Sequence, residues 1–546
     1  MEKNKFFIPE NTDLNSVLVM VEEEVRVTIP ASIVIANEGF QTSLQKSISE
    51  HDVFQTLLHL AEPIDFSLEA NGDSINILRD SLLSTSDLRG KEIIERKIEK
   101  LFPKPLQQNV IIIKKLLELA EKCGLSVGAS NDKVFIFNGE FWELIALKNF
   151  EAFLGLFSEK VCLDPLEAQQ FKIKDLLFRQ FMSSGFLPNF NDKGDIPRIP
   201  FHNGTLIFED GNVKLVDFDK THFLTYKLSF SYCENADAPL FKKFLNRVLP
   251  DTDVQNIMFE FFGSIFLKKI KHEKILLLYG SGKNGKSVLH DVLHALLGSS
   301  NITSLSLASL TEHKSQSRMH LENKLLNFSS EIGLTKNCDL DMIKKLASME
   351  PIEVKELYSN PYTITNYARL AFNCNVLPKA GENSDGFHRR FIVAHFDQKI
   401  SDEEMDLDLA NKIISKELPG IFNMVIDGMK RFFAQGKFTF SQSIVDESEK
   451  YRRDINSVLT FINDEQYIPS SKKNFPISAF YQSYRDFCSQ NGFQSFNRNK
   501  FISQLRDAKF QVTRSTNGYY HIYYDKLIDS VDDSAIVLNI NTPINL

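Results

Sequence analysis

A loop at residues 280–287 has the residue types and spacing of a phosphate-binding loop. It reads GSGKNGKS, a full match to the pattern G-x-x-x-x-G-K-[ST]. Glycines let backbone N–H groups converge on phosphate oxygens, Lys286 can neutralise the β- and γ-phosphates, and the Ser287 hydroxyl can ligate Mg²⁺. An ordinary glycine turn is the alternative. We predict that the whole loop binds a nucleotide: Gly280, Ser281, Gly282, Lys283, Asn284, Gly285, Lys286 and Ser287.

The residues on either side of this loop predict the elements that hold it. The run KILLLY at 274–279 is typical of a strand buried on both faces. After the loop, apolar residues recur at helical spacing as far as Leu296, and Gly298 stands where a helix would end. The phosphates would therefore meet the N-terminus of a helix, where the helix dipole favours negative charge.

Two further apolar runs end in polar side chains. KLLNFSSE at 324–331 predicts a strand ending in Glu331, a carboxylate that could polarise water beside a γ-phosphate. YARLAFNCN at 367–375 predicts a strand ending in Asn375, whose amide could hold the attacking water or a phosphate oxygen. The alternatives are a solvated strand-end glutamate and a turn-forming asparagine.

Arg389 and Arg390 open one more predicted strand, within DGFHRRFIVAHF at 385–396. Paired arginines are usually solvated or salt-bridged. Beside a phosphate loop they can instead reach the γ-phosphate held by a neighbouring subunit. We predict that one of the two acts in this way, and the sequence leaves open which one.

The composition limits the class of protein that carries these residues. With 546 residues, 43% hydrophobic and 25% charged, the chain is long enough for several domains and too apolar for global disorder. Its net charge of −8 excludes a uniformly basic surface but leaves room for a local basic channel. The six cysteines lie far apart, which predicts mostly buried thiols in a reduced, cytosolic-type protein. No apolar run suits a signal peptide or the ~18–20 residues of a membrane span.

The patterns along the chain predict a multidomain α/β protein. Apolar strands alternate with amphipathic helices at 240–400, as in a mostly parallel sheet. Before them, strand–turn–strand signals at Asn138-Gly139 and Asp210-Gly211 indicate an α+β region that contains a loop at 188–200. The predicted regions are an N-terminal region of unknown role (1–105), the α+β and helical region (106–239), an α/β core that contains the phosphate loop (240–400), a helical connector (401–450) and a C-terminal winged helix (451–546).

The C-terminal prediction rests on three consecutive patterns, two helices followed by a hairpin between residues 474 and 524. This is the order of a winged helix. Its cations would form a surface for duplex DNA, although winged helices also bind proteins. The candidate contacts are Arg498, Lys500, Arg506 and Arg514.

These motifs together resemble the helicase part of phage and plasmid primase-helicases, the superfamily 3 group of AAA+ motors that also includes poxvirus primase-helicase. The order GSGKNGKS, LLNFSSE, FNCNVLP and GFHRRF, all within about 120 residues, is specific to that group. The segments IPFHNGTLIF and YCENADAPLFKKFL upstream resemble the part that leads into the motor. The resemblance covers roughly residues 110–525.

The resemblance implies an AAA+ P-loop motor that forms a ring, usually a hexamer. Such a ring hydrolyses ATP with Mg²⁺ between subunits and translocates on single-stranded DNA. The implied catalytic residues are Lys286, Glu331, Asn375, Arg389 and Arg390, with Ser287 and Glu331 near the metal. Many members carry two adjacent acids where this chain has Ser330 before Glu331, so Glu331 is expected to reach Mg²⁺ through water.

The interval between Glu331 and Asn375 contains two short strand patterns around Tyr358-Ser-Asn-Pro. In the family, this interval carries a β-hairpin that projects into the ring channel and grips the phosphate backbone of single-stranded DNA. Lys355 is the best-placed cation, and Lys344 and Lys345 are second choices. The alternative is an exposed lysine on a surface hairpin.

The leading hypothesis from the sequence is a ring-forming, ATP-dependent DNA helicase that replicates a phage, plasmid or other mobile element in a bacterial cytoplasm. Its expected partners are single-stranded and forked DNA, other copies of itself, and a separate primase or origin-binding protein, without a membrane. The alternative is a DNA-binding initiator or regulator switched by ATP without processive unwinding. A small-molecule kinase would explain neither FNCNVLP nor the C-terminal patterns.

Overall fold

The computed structural model describes residues 49–130, 132–187, 196–313, 315–330, 332, 339–355, 360–377, 388–491, 493 and 495–527. The chain divides into two units. The first runs to Ile207 and includes Leu215–Lys227, and the second comprises Phe208–Lys214 and the residues from Leu228 onward. Every helix in the described ranges is too short or too polar to cross a bilayer.

The described part of the first unit consists of α-helices around small sheets. Strands β1 (Ser126–Ser130), β2 (Lys133–Phe137) and β3 (Trp142–Ile145) pair in that order as an antiparallel sheet, and the next three strands, β4 to β6, form a second sheet. The helices are α1 Glu50–His59, α2 Phe66–Asn71, α3 Asp73–Ser84, α4 Leu88–Leu101, α5 Pro105–Lys122, α6 Leu147–Lys160, α7 Pro165–Ala168 and α8 Phe171–Ser184. The strands are β1 Ser126–Ser130, β2 Lys133–Phe137, β3 Trp142–Ile145, β4 Arg198–Phe201, β5 Gly204–Glu209 and β6 Asn212–Val216.

Both predicted turns in this region are present. Asn138 Oδ1 accepts backbone N–H bonds from Glu140 and Phe141 between β2 and β3. Asp210 and Gly211, with φ of 49° and 82°, join β5 to β6 in the left-handed conformation that tight hairpins favour. The prediction that 188–200 is all loop was wrong at its end, because β4 includes Pro200. This strand lies at a sheet edge, where a missing N–H is tolerated.

A five-stranded parallel sheet forms the centre of the second unit, with its strands in the order β13 (Phe391–His395), β7 (Ile275–Tyr279), β12 (Arg369–Cys374), β9 (Leu326–Ser329) and β8 (Ile302–Thr303). The predicted parallel sheet is thereby confirmed. Its strands are almost wholly buried, which explains their continuous apolar runs. The strands of this unit up to residue 395 are β7 Ile275–Tyr279, β8 Ile302–Thr303, β9 Leu326–Ser329, β10 Ile352–Val354, β11 Tyr362–Ile364, β12 Arg369–Cys374 and β13 Phe391–His395.

Helices pack around this sheet, and the longest, α14, lies against α10 and α11. The helices up to residue 455 are α9 Pro239–Val248, α10 Thr252–Ser264, α11 Lys286–Leu297, α12 Leu307–Thr311, α13 Leu340–Ala347, α14 Leu409–Gln435 and α15 Gln442–Ile455. A Cβ on Gly428 of α14 would lie 2.4 Å from the Phe259 backbone, so only glycine permits this close crossing with α10. The Glu417 carboxylate caps α9 by accepting from the backbone N–H groups of Leu240 and Phe241, at 3.0 and 2.8 Å.

The chain ends in a small domain with its own apolar core. Its elements are α16 Ser457–Asp464, β14 Tyr467–Pro476, α17 Ile477–Gln490, α18 Arg498–Asp507, β15 Gln511–Arg514 and β16 Tyr520–Lys526. The sheet order is β14-β16-β15. Two helices followed by a hairpin are therefore present where the sequence predicts them, and the winged-helix assignment stays a prediction.

Candidate functional site

The GSGKNGKS loop connects β7 to α11, so the predicted strand, loop and helix follow one another directly. Gly282 and Gly285 have φ of 103° and 82°, which glycine adopts without strain. A Cβ on Gly280 would lie 2.1 Å from Asn284 Nδ2 and 2.5 Å from the Phe396 carbonyl oxygen. No side chain larger than hydrogen fits there without displacing the loop.

Lys286 is the first residue of α11 and is 7% exposed. Its Nζ donates to the Gly280 carbonyl oxygen at 2.7 Å and to Asn284 Oδ1 at 2.8 Å. Burial lowers the pKa of this ammonium group, which disfavours the charged form. A phosphate at the loop would supply the negative charge that this buried cation lacks.

Asn284 connects the loop to β13. Its Nδ2 donates to the Phe396 carbonyl oxygen at 2.9 Å while its Oδ1 accepts from Lys286, and the side chain is 3% exposed. The motif treats position 284 as variable, so no signal along the chain indicates this bridging role. The bonds to Phe396 and Lys286 become visible only in three dimensions.

The remaining side chains of the loop are accessible. Ser281 and Ser287 are exposed, and Lys283 Nζ lies 2.6 Å from Asp402 Oδ1 at the surface. Sequence reasoning missed Asp402 because it is far away along the chain. A buried cation, a glycine cradle and an exposed Ser287 hydroxyl at a helix N-terminus together fit a phosphate group with Mg²⁺.

Asn375 lies at the carboxyl ends of the parallel strands, as the loop does. Strand β12 pairs with β7 so that Cys374 is opposite Tyr279, and the Gly280 N–H donates to the Cys374 carbonyl oxygen at 3.1 Å. Asn375 follows directly and is exposed. Burial raises the pKa of the Cys374 thiol to about 12, so this thiol stays neutral.

The predicted carboxylate Glu331 lies outside the described residues. Strand β9, which precedes it, pairs with β12, with Ser329 opposite Phe372. Ser330 is exposed at the carboxyl end of this strand. The structure therefore describes the strand that leads to Glu331 but not Glu331 itself.

Arg389 and Arg390 lie at the amino ends of the strands, opposite to the end that carries the loop. The Ile275 N–H donates to the Arg390 carbonyl oxygen at 2.7 Å, at the amino end of β7. The loop begins after Tyr279, at the carboxyl end of that strand. At about 3.3 Å per residue, the length of β7 puts roughly 15 Å between the pair and its own loop.

The two arginines differ in exposure. Both guanidinium groups approach Glu273 Oε2, at 3.4 Å from Arg389 and 3.5 Å from Arg390. The Arg389 side chain is 65% exposed, whereas that of Arg390 is 10% exposed. Arg389 is the one that a second molecule could reach. Sequence reasoning missed Glu273 as their shared partner.

The predicted hairpin is formed by β10 and β11, with Val354 opposite Tyr362. Lys355 directly follows β10 and is exposed, while residues 356–359 lie outside the described residues. On α13, Lys344 Nζ is paired with Asp341 Oδ1 at 2.9 Å, and Lys345 is exposed. The lysine at the hairpin is thus accessible, while Lys344 is neutralised by its own helix.

The C-terminal cations lie on α18 and the adjoining hairpin. Arg498 is exposed at the first turn of α18, and Lys500 Nζ lies 4.5 Å from the centre of the Phe496 ring. Arg506 and Arg514 approach the Tyr520 ring, at 6.0 and 5.7 Å.

Comparison with known families gives two matches. Residues 169–250 match a family described as D5 N terminal like. Residues 278–390 match a family of unknown function (DUF5906), and this stretch contains the loop, Asn375 and the arginine pair.

Several curated viral proteins are similar to this chain. A mimivirus protein (Acanthamoeba polyphaga mimivirus) with helicase in its name, L207/L206, is 23% identical over 341 residues, 56% of this chain and 34% of that protein. A Sputnik virophage protein with helicase in its name, V13, is 22% identical over 277 residues, 46% of this chain and 35% of its own length. C962R of African swine fever virus, with primase in its name, is 21% identical over 318 residues, 53% of this chain and 33% of its own length. The chain spans about a third of the length of these relatives.

Among solved structures, the A form apo structure of the NrS-1 C-terminal region aligns with 74% of this chain and 98% of that chain. The sequence identity is 12% and the TM-score 0.43.

Proposed function

We propose that this chain, which belongs to the phage-type primase-helicase family, is an ATP-dependent DNA helicase that works as a ring in the replication of a mobile element. The observation that carries the proposal is the loop at 280–287, which holds the buried Lys286 at a helix N-terminus beside Asn375. This arrangement suits binding and hydrolysis of a nucleoside triphosphate rather than structural support alone. The helicase- and primase-named relatives support a role for that chemistry in replication.

The loop residues bind and orient ATP. Backbone N–H groups of the glycine turns and of the first turn of α11 cradle the phosphates, and the Lys286 ammonium neutralises the β- and γ-oxygens. The Ser287 hydroxyl would hold Mg²⁺, and Glu331 is expected to do so through water. Mg²⁺ held there would neutralise the negative charge that develops on the phosphates.

The attacking water is positioned from the neighbouring strand ends. Asn375 lies next to Gly280 and can donate from its amide to that water or to a γ-phosphate oxygen. Glu331 is proposed to accept the proton of the water, the role that its place after β9 predicts. The two residues follow strands that pair directly with each other.

Arg389 is proposed to complete the site of a neighbouring copy. Its own loop lies at the far end of β7, so Arg389 cannot serve it without unfolding the strand. Its exposed guanidinium could reach the γ-phosphate of another subunit and stabilise the transition state. Hydrolysis between subunits requires a second copy at the interface. We propose that successive copies close into a ring, which we expect to be a hexamer.

Lys355 is proposed to contact single-stranded DNA in the ring channel. It is exposed directly after the end of β10. The other proposed partners are forked DNA and a separate primase or origin-binding protein, in a bacterial cytoplasm.

Replacing Lys355 by alanine should weaken single-stranded DNA binding and DNA-stimulated hydrolysis but leave basal hydrolysis intact, because this lysine would touch DNA and not the nucleotide. The slope of log affinity against log salt should flatten by about 0.7 for each phosphate that the variant no longer neutralises. A salt titration by fluorescence anisotropy measures both effects, with Lys437→Ala, an exposed lysine outside the hairpin, as matched control. An unchanged affinity and slope would move the DNA-binding lysine to Lys344, Lys345 or elsewhere.

Replacing Asn284 by alanine should weaken nucleotide binding by about tenfold or more, because a hydrogen bond to a charged group contributes ~1.5–3 kcal/mol. The change leaves Lys286 with only the Gly280 carbonyl as partner and the Phe396 carbonyl without its donor. Asn284→Asp keeps an acceptor for Lys286 but loses the donor, and its carboxylate adds a negative charge beside the phosphates, so it should bind nucleotide no better than Asn284→Ala. Nucleotide titration measures affinity, and parental affinity in Asn284→Ala would refute the positioning role.

Strand displacement tests the proposed function as a whole. The protein with ATP and Mg²⁺ should release a labelled strand from a forked duplex, and omission of ATP should abolish release. An initiator that only switches conformation would hydrolyse ATP without displacing a strand. If the protein hydrolyses ATP but displaces no strand from any of the forks tested, the initiator is favoured over the helicase.

A further inference from the structure

The C-terminal domain, residues 457–527, carries a positive surface in a chain that is acidic overall. Residues 495–527 contain six basic and two acidic side chains, while the whole chain has a net charge of −8. Helix α18 and the β15–β16 hairpin supply most of these cations. Such a local surplus of positive charge is the electrostatic signature of a surface that meets a polyanion.

The inner face of α18 is anchored in the domain core. Phe501 is fully buried and stacks on Tyr484, with ring centroids 4.5 Å apart. Asn456 Nδ2 donates to Gln504 Oε1 at 2.7 Å and thereby fixes a polar edge of the same helix to the start of α16. These contacts hold the helix in one orientation, so its outer face is presented in a defined way.

The outer face of α18 presents three polar side chains in a row. Asn499, Ser503 and Arg506 are four and three residues apart, which places them on one side of the helix, and all three are exposed. In the described part of the chain, none of the three side chains makes a hydrogen bond or ion pair, and the Arg506 guanidinium lies 6.0 Å from the centre of the Tyr520 ring. Their donors and acceptors are available to another molecule.

These three residue types are suited to reading base edges. Asparagine can form two hydrogen bonds with adenine, arginine can form two with guanine, and serine can bond to several bases. An α-helix about 10–12 Å wide fits the major groove, which is about 12 Å wide. Asparagine and serine can also donate to phosphates, so residue type alone does not assign Asn499 and Ser503 to bases. Their place in one row with Arg506, on the face of α18 that points away from the core, is what favours base contacts.

The surroundings of this row suit contacts with the DNA backbone. Arg498 and Lys500 flank it on α18, and Arg514 lies at the end of β15. Beyond Arg514, a turn closed by the Ser515 N–H donating to the Tyr519 carbonyl oxygen at 2.8 Å leaves the Tyr519 side chain 69% exposed. Cations and a tyrosine hydroxyl beside a helix can bind phosphates on either side of a groove and fix the register.

We propose that α18 reads a specific duplex DNA sequence in the major groove, with Asn499, Ser503 and Arg506 on base edges. In this arrangement, Arg498, Lys500, Arg514 and Tyr519 hold the flanking phosphates. The inference deepens the proposed function, on which it rests for assigning the C-terminal domain to DNA. It implies that the protein selects its own loading site on duplex DNA and does not depend wholly on a separate origin-binding protein.

Selection from a random duplex library by the full chain, without ATP and at physiological salt, tests the proposal. We expect enrichment of one short motif that has an A·T pair at the position read by Asn499 and a G·C pair at the position read by Arg506. Bound duplex with no enriched sequence would overturn base reading, and binding of only single-stranded DNA or no DNA by this surface would overturn the duplex site altogether.

Variants of α18 then connect residues to base positions. Asn499→Ala should reduce the preference for one base pair of the motif by about tenfold or more and leave the other positions unchanged. Arg498→Ala should weaken all duplexes to a similar degree. Asn463→Ala, an exposed asparagine on α16, is the matched control and should change neither, and thermal melting checks that each variant folds. An Asn499→Ala variant with an unaltered motif would remove Asn499 from the reading face.

ATP hydrolysis and strand displacement by the same preparation separate this inference from the proposed function. If the parent protein selects no duplex sequence but still displaces strands with ATP, only the reading face is refuted. Sequence selection without hydrolysis or displacement refutes only the helicase.

Discussion

A Lys286→Ala variant is expected to lose ATP hydrolysis entirely and to bind nucleotide about 100-fold more weakly. The ammonium group is held in place by the Gly280 carbonyl and Asn284 Oδ1, so it is oriented before a phosphate arrives. Alanine removes the one buried cation of the loop, and the cost corresponds to one or two charge-assisted hydrogen bonds at ~1.5–3 kcal/mol each. Nucleotide titration and phosphate release measure the two effects.

Glu331→Gln provides the contrast to this variant. It should bind nucleotide as the parent does but stop turnover, because only the group that polarises water is removed. Lys416→Ala, an exposed lysine on α14, is the control for lysine removal and should bind and hydrolyse ATP normally. If Glu331→Gln hydrolyses ATP at the parental rate, the assignment of Glu331 is wrong. Parental affinity in Lys286→Ala would reject the phosphate loop.

Arg389→Ala is expected to reduce hydrolysis by about a thousandfold or more, the usual contribution of an arginine that reaches a neighbour's γ-phosphate. Nucleotide binding should be nearly unaffected, since the variant keeps an intact loop. Arg390→Ala should act chiefly on folding stability, because that side chain is buried beside Glu273. Hydrolysis rates, nucleotide titration and thermal melting distinguish the two arginines. Arg179→Ala, an exposed arginine in the first unit, is the matched control.

Mixing Arg389→Ala with Lys286→Ala subunits tests whether the arginine acts in trans. Each inactive variant keeps the half-site that the other lacks, so mixed rings should recover part of the parental hydrolysis. The specific activity of the parent should also fall on dilution as rings dissociate. Full activity of a diluted monomer would refute both the trans arginine and the need for a ring. Differential tagging shows whether mixed rings form. If they form without any recovery, and the parental activity is independent of dilution, the trans arginine and the need for a ring are also refuted.

Local patterns were sufficient to predict the parts of the site that neighbouring residues determine. The KILLLY strand, the glycine loop and the start of α11 at Lys286 follow one another along the chain, and each is specified by its own few residues. The hairpin turns at Asn138-Gly139 and Asp210-Gly211 were predictable for the same reason. The prediction of mostly buried thiols was wrong for the described cysteines, because Cys374 and Cys488 are buried, Cys123 is half-buried, and Cys162 and Cys233 are exposed.

The sequence by itself therefore determined which residues could bind phosphate, since the motif encodes both residue type and local backbone. Only the tertiary structure decided how distant residues meet it. The strand order β13-β7-β12-β9-β8 brings Asn375 beside Gly280, and Arg389 lies at the amino ends of the strands, away from the loop. The physical reason is that pairing between parallel strands is set by long crossover connections and shared core packing, which no single segment encodes. Parallel pairing puts the carboxyl ends of all the strands on the same side of the sheet. Because β13 begins directly after Arg390 and runs parallel to β7, both arginines lie at the amino ends, away from their own loop.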